Sequence, residues 1–232
     1  MTTFQVPIAS NLSSIKRLPT YQRFKYHYPG TVLNQARCQP NDEPLIDART
    51  QVKTAYFENV PDANIRYLLR RDCALKLATA ANQLSQIGLQ LELVEGYRSL
   101  EQQRFEFNHI SAMIRQQHPD ATPEQVIELT EEFSANPDLN PPHTTGGAVD
   151  VRLRDYHSGE LIDMGTDINT ISPLAYTDSP DIDDTAKSYR KLLRLAMIQA
   201  NFAPLSTEWW HFETRTLLWA AVYDSLAYYQ SC

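Results

Sequence analysis

The chain has 232 residues, of which 42% are hydrophobic and 21% charged, the balance of an ordinary globular protein able to bury a sizeable core. A formal net charge of -7 and a pI near 5.4 argue against nucleic acid as a partner, because phosphate binding needs clustered Lys and Arg. Cys38, Cys73 and Cys232 are an odd number without CxxC spacing, so neither a disulfide framework nor a thiolate zinc site is indicated.

The first residues, MTTFQVPIASNLSSIKRLP, lack the apolar stretch of a signal peptide, and no run approaches the ~20 apolar residues that cross a bilayer. A cytoplasmic protein without a membrane partner is expected. Residues 1–62 carry Pro7, Pro19, Pro29, Pro40, Pro44 and Pro61 among polar residues, a texture that predicts an irregular N-terminal segment. From Asn64 onward, Ile65, Leu68, Leu69, Ala74, Leu75, Leu77, Ala78 and Leu84 recur at helical spacing, and Gly88 supplies a stop. One long helix over roughly 63–87 follows, with Cys73 in its core face and Arg70-Arg71 on a solvated one.

Leu89, Leu91 and Leu93 then alternate with Gln90, Glu92 and Val94, a half-buried strand that delivers Glu95-Gly96-Tyr97-Arg98 to its end. Ser99 with Gln102 forms a capping box for a helix to about His118, and Thr122, Pro123 and Gln125 repeat the signal for a shorter helix through Phe133. Val149 to Leu153 alternates as a strand. Residues 155–182, punctuated by Gly159, Gly165, Pro173 and Pro180, read as a long loop of the kind that is often functional. Asp184 opens another helix with Tyr189, Leu192, Leu193, Ala196 and Met197 on one face. The aromatic run from Ser206 to Phe212 favours a strand, and the tail beyond Thr214 has a helix-compatible pattern. These elements predict an α+β fold with helices packed against a small, mainly antiparallel sheet. The whole chain, 1–232, reads as one catalytic domain with an N-terminal segment (1–62), a core (63–213) and a tail (214–232).

Two stretches carry the chemistry. In His143-Thr144-Thr145-Gly146-Gly147-Ala148-Val149-Asp150, paired glycines let the backbone turn sharply before a strand fixes Asp150 on one face. The second is Glu208-Trp209-Trp210-His211. A catalytic zinc takes three protein ligands and leaves a fourth position for water. His143, Asp150 and His211 complete that set for one zinc ion per chain, and Glu208 is then free to act as base on the water. Asp150 would otherwise be a charge in an apolar strand without a partner. His109 and His157 read as bystanders, Tyr97 as packing, and Trp209 and Trp210 as core and cleft wall.

Gly96-Tyr97-Arg98, the His143–Asp150 stretch, Ser158-Gly159-Glu160-Leu161 with Met164-Gly165, and Glu208–His211 together resemble the D-alanyl-D-alanine dipeptidases. Those are zinc enzymes associated with vancomycin resistance and dipeptide salvage. The resemblance runs in order from about Leu68 to Glu213. It implies the fold shared by D,D-peptidases and the hedgehog signalling domain, zinc on His143, Asp150 and His211, Glu208 as catalytic base, and Arg98 steadying the carbonyl oxygen as it becomes an anion. The implied substrate is a small dipeptide. Two departures stand out: Pro141 where the family often has Ser, and Thr166-Asp167-Ile168-Asn169 where it usually reaches a Phe-Asp pair that holds the substrate ammonium. Asp167 or Asn169 is the expected substrate-binding residue here. The rival readings are a D,D-carboxypeptidase acting on wall peptides, which would normally carry an export signal, and a non-catalytic zinc module of the hedgehog type.

Overall fold

The structure, a computed structural model, describes residues 38–232 except residue 132. The expectations for the first 37 residues therefore lie outside it. In chain order the elements are β1 (Leu45–Asp47), α1 (Ala63–Arg66), β2 (Leu68–Arg70), α2 (Arg71–Ser85), β3 (Leu89–Glu95), α3 (Leu100–Gln117), α4 (Pro123–Glu131), β4 (Ala148–Asp155), α5 (Asp184–Gln199), β5 (Ala203–Pro204), β6 (His211–Glu213) and α6 (Leu217–Tyr223). No helix among the described residues is long and apolar enough to cross a membrane.

Four strands form an antiparallel sheet in the order β3-β4-β6-β5. Alternation gives it two unlike faces. Leu89, Leu91, Leu93, Val149, Val151, Leu153 and Phe212 lie on one and are buried against Cys73, Leu77, Ala81 and Leu84 of α2 and Leu193 and Met197 of α5. Glu92, Asp150, Arg152, Arg154, His211 and Glu213 lie on the other. The expected α+β architecture is present, and Cys73 is core as expected.

The helix starts at Ser99 and Thr122 are also present. Ser99 and Gln102 make a complete capping box, and Thr122 and Gln125 exchange bonds in the same way. The helix expected over 63–87 is instead broken. Leu68–Arg70 leaves the helical path to pair antiparallel with Leu45–Asp47, a segment expected to be irregular. A long-range strand partner here overrides a local helical pattern, and the Arg70 expectation falls with it. Arg70 is buried, donates to the carbonyls of Thr145, Glu43 and Gln230, and stacks over Tyr229.

The aromatic run from Ser206 to Phe212 is a strand only at its end. The His211 amide donates to the Glu208 carbonyl at 3.3 Å, so residues 208–211 form a turn that folds Glu208 back before β6 begins. The loop of 155–182 is as expected, with a tight reversal closed by a bridge between Arg154 and Leu161 and a short 3-10 turn at Pro173–Ala175.

Gly96 ties this fold to the polar face. A Cβ there would stand 2.8 Å from the Leu68 carbonyl oxygen and 2.8 Å from Leu69 Cδ2, so β2 and the end of β3 meet only because the side chain is missing. Replacing Gly96 with Ala is expected to destabilise the fold by about 1–3 kcal/mol, the usual cost of overpacking, read as a lower denaturant midpoint at unchanged slope.

Candidate metal and catalytic centre

The polar face of the sheet assembles the centre. Asp150 and His211 are cross-strand partners in the β4–β6 ladder, which sets their side chains next to each other. His211 Nδ1 lies 2.9 Å from Asp150 Oδ1. His143 arrives from the 3-10 turn Pro142–Thr145, which Gly146 ends at φ 72 so that the chain can turn into β4. Its Nε2 lies 3.2 Å from His211 Nδ1 and 3.4 Å from Asp150 Oδ1. All three side chains are buried.

This donor set fits zinc. Ligand atoms held ~2.0–2.2 Å from a tetrahedral ion stand roughly 3.3–3.6 Å from one another. The three separations here match within a few tenths of an ångström. Hydrogen bonding supplies a second test: His143 Nδ1 meets the Gly96 carbonyl at 2.7 Å, and His211 Nε2 meets Glu213 Oε1 at 3.1 Å. With the ring protons on the nitrogens that face Gly96 and Glu213, each imidazole has its other nitrogen, turned towards Asp150, free to bind an ion. Three ligand atoms then converge on one point, an arrangement that a divalent cation can occupy.

The titration of the cluster agrees. Burial pushes the Asp150 carboxyl up, but the two imidazoles outweigh it and hold it well below the usual carboxylate range. Burial likewise opposes charge on His143 and His211, yet Asp150 draws protons to both and raises them above the ordinary imidazole value. A proton and a divalent metal compete for such a position.

Glu208 stands beside this set without joining it. Its Oε2 is 4.0 Å from His211 Nδ1, and its side chain keeps 26% exposure, so Glu208 borders both the cluster and solvent. Burial pushes it up to about 7; His211 pulls the other way and Asp150 adds to the rise.

Arg98 follows β3. A bulge between Leu93 and Glu95 sets Glu95, rather than Val94, opposite Asp150. Glu95 then grips Arg98 with both oxygens, Oε1 to Nε at 3.0 Å and Oε2 to Nη2 at 2.6 Å. Gln103 and Glu106, from α3, receive Nη1. Burial works against the guanidinium charge, but Glu95 and Glu106 secure it above the ordinary arginine value, and the fields of His143 and Glu208 both include Arg98.

The structure thus brings together His143, Asp150, His211, Glu208 and Arg98. Asp167 and Asn169 are exposed, and no hydrogen bond or ion pair among the described residues ties either side chain to the cluster. His109 and His157 are exposed too, and Trp209 and Trp210 are buried edge-to-face, as expected. Sequence reasoning missed Glu213, Glu95, Gln103, Glu106 and the Gly96 carbonyl. Glu213 alone had a visible signal, since two residues after a strand histidine is the same face.

A buried His–Asp–His donor set on an antiparallel sheet, with a glutamate beside its open side, defines a metallopeptidase-type centre. Residues 36–228 match the D-ala-D-ala dipeptidase family of peptidases. The D-alanyl-D-alanine dipeptidase of Escherichia coli (strain K12) is 32% identical over 190 residues, covering 80% of this chain and 87% of that protein. The protein of the same name from Synechocystis sp. is 32% identical over 182 residues, 68% of this chain and 73% of its own. A solved structure of VanYB in complex with D-alanine-D-alanine is more remote, at 16% identity and a TM-score of 0.46 over 75% of this chain and 85% of that one. The chain belongs to the D-ala-D-ala dipeptidase family, and it is a metallopeptidase.

Replacing His143, Asp150 or His211 with Ala is expected to abolish stoichiometric zinc in the purified protein, measured by metal analysis. Glu213→Gln should keep one zinc at saturation while weakening its affinity about 10- to 100-fold, since it removes only the partner that orients His211. Unchanged affinity in a chelator competition would remove that role.

Proposed function

We propose that the protein hydrolyses D-alanyl-D-alanine, holding one zinc ion on His143, Asp150 and His211, with Glu208 as general base and Arg98 facing the scissile carbonyl oxygen. The observation that carries this reading is the convergence of one ligand atom from each of His143, Asp150 and His211 at ion-sharing distances, with Glu208 4.0 Å from His211 and outside the set. The substrate comes from the relatives, which are named for that dipeptide.

When bound, zinc supplies Lewis acidity, lowering the pKa of a water and polarising a carbonyl. The chain's own residues do the rest. Glu208, with a pKa lifted towards neutrality, is suited both to take a proton from water at a carboxylate oxygen and to hand it to the nitrogen of the breaking peptide bond. Arg98 is held in one pose by Glu95 and Gln103, so its charge needs no reorganisation when the carbonyl oxygen becomes an anion. Asp150 and Glu213 flank His211 and fix its ring orientation.

Incubation of the zinc-loaded protein with D-Ala-D-Ala, L-Ala-L-Ala and an N-acetylated D-Ala-D-Ala peptide tests the substrate. Cleavage of the first alone is expected, whereas cleavage of the acetylated peptide would move the reading to a carboxypeptidase. Glu208→Ala is expected to keep its zinc and lose about 10²- to 10⁴-fold in kcat. Undiminished turnover in that variant would exclude the base. For Arg98→Ala the expected loss is about 10²- to 10³-fold in kcat, that of one oxyanion donor.

A further inference from the structure

We propose that Glu106 is the residue that receives the substrate's free α-ammonium and so confines this centre to peptides with an unblocked N-terminus. The inference deepens the dipeptidase reading and rests on it.

Arg98 is flanked by two carboxylates that are not equivalent. Glu95 uses both oxygens on the Nε–Nη2 edge and is 21% exposed. Glu106 reaches Nη1 with Oε2 alone, at 2.5 Å, shares that nitrogen with Gln103 Oε1 at 3.0 Å, and is 40% exposed. Its second oxygen has no hydrogen-bond or ion-pair partner among the described residues. One guanidinium cannot neutralise two carboxylates, so a negative charge is left over, and Glu106 is the member with an unpaired oxygen and the greater exposure to solvent. Burial pushes its carboxyl up, and the charges acting on it are those of Arg98, Glu95, His143 and Asp150, in keeping with its contact with Arg98, whose amide donates to the His143 carbonyl.

Substrate geometry points to the same residue. In a peptide the α-nitrogen is joined to the carbonyl oxygen through only Cα and C, so the two atoms stand roughly 2.7–3.6 Å apart. With Arg98 on the oxygen of the scissile bond, a carboxylate that touches the same guanidinium is next to the ammonium of that residue. The substrate's own carboxylate, on the far side of the scissile bond, would be repelled there. Glu106 would therefore fix the direction in which a dipeptide lies as well as its need for a free amine. An N-acyl group replaces the cation with a bulky neutral amide and leaves Glu106 unpaired, which is costly in a partly buried site. Asp167, the acidic residue expected from the sequence, is fully on the surface and acts on Arg152 instead.

The test uses the zinc-loaded full chain in a Glu208→Ala background, where ligand binding can be measured without turnover, alongside hydrolysis by the wild-type protein. Calorimetry should show D-Ala-D-Ala binding at least about tenfold more tightly than N-acetyl-D-Ala-D-Ala. Adding Glu106→Gln should collapse that preference through weaker binding of the free amine only, with the acetylated ligand unchanged and zinc content intact. Adding Asp167→Asn should leave the preference in place. Equal weakening of both ligands by Glu106→Gln would mean that it acts only through Arg98, and an unchanged preference, or one lost in Asp167→Asn, would likewise overturn the proposal. Failure of the wild-type protein to hydrolyse D-Ala-D-Ala would instead sink the dipeptidase reading on which it rests.

Discussion

The pairing of Asp150 with His211 across β4 and β6 is the constraint on which the rest of the molecule depends. Side chains on a strand alternate, so a slip of one residue would send Asp150 into the apolar core and Val149 or Val151 to the metal centre. Several contacts prevent that slip. The Thr214 amide donates to the Gly147 carbonyl at 2.9 Å, Val151 N to Trp210 O at 3.0 Å, and Gly147 packs so closely that a Cβ would stand 2.6 Å from Tyr229 Cδ2 and 2.7 Å from Thr214 O. The same register that buries Val149, Val151 and Phe212 therefore delivers the carboxylate and the imidazole to one point. Burying a carboxylate between two imidazoles is unfavourable unless a positive charge joins them, so whatever supplies it, a proton or a bound cation, is coupled to the folding of this sheet.

Charge balance governs the surroundings in the same way. Asp150, Glu208, Glu95 and Glu106 all act on the Arg98 guanidinium and Glu213 holds His211, so a divalent ion would still leave the ensemble short of positive charge. A cationic group of the substrate is the natural complement to that deficit. Neighbouring charges on the same sheet face are closed off by contrast: Glu92, only 1% exposed, accepts from Arg152 and Arg154 together, and Tyr56 covers Arg154 at 4.1 Å. The excess of carboxylate is thus local to the His143–Asp150–His211 cluster.

What the sequence disclosed about the centre was whatever could be read from short spacing. His143 and Asp150 are linked by a glycine turn into a strand, Glu208 and His211 by a single turn, and Arg98 by a strand end, so each fragment showed its chemistry without its partner. The groups that complete those fragments come from elsewhere in the chain and left no local mark. The Gly96 carbonyl that meets His143 Nδ1 is 47 residues away in sequence, and Glu106 faces Arg98 only because α3 starts at its Ser99 cap and turns that side inward. The broken helix at Leu68–Arg70 has the same cause. Apolar residues at helical spacing satisfied the local pattern, and only the distant Leu45–Asp47 strand, among prolines, turned that segment into a sheet edge.

The long loop after β4 shows how far the core reaches into the centre. Arg190, on α5, is buried and donates to the carbonyls of Met164, Leu174 and Tyr176, three points spread along that loop. Burial pulls it down to about 10, so it remains charged at neutral pH while lacking a carboxylate bonded to it. Its guanidinium also lies 5.5 Å from the Trp209 ring, whose Nε1 donates to Thr166 Oγ1 at 2.9 Å. Trp209 is next to Glu208, and its own amide donates to Ala175 O at 3.1 Å. One arginine on a core helix thus fixes both the loop wall and the turn that aims the glutamate. The position of Glu208 is therefore set by packing against α5, as those of Asp150 and His211 are set by strand register. The loop has little regular structure of its own, yet it is anchored because a buried cation must satisfy its donors on the loop's carbonyls, and the turn is tied to the same arginine through the Trp209 ring.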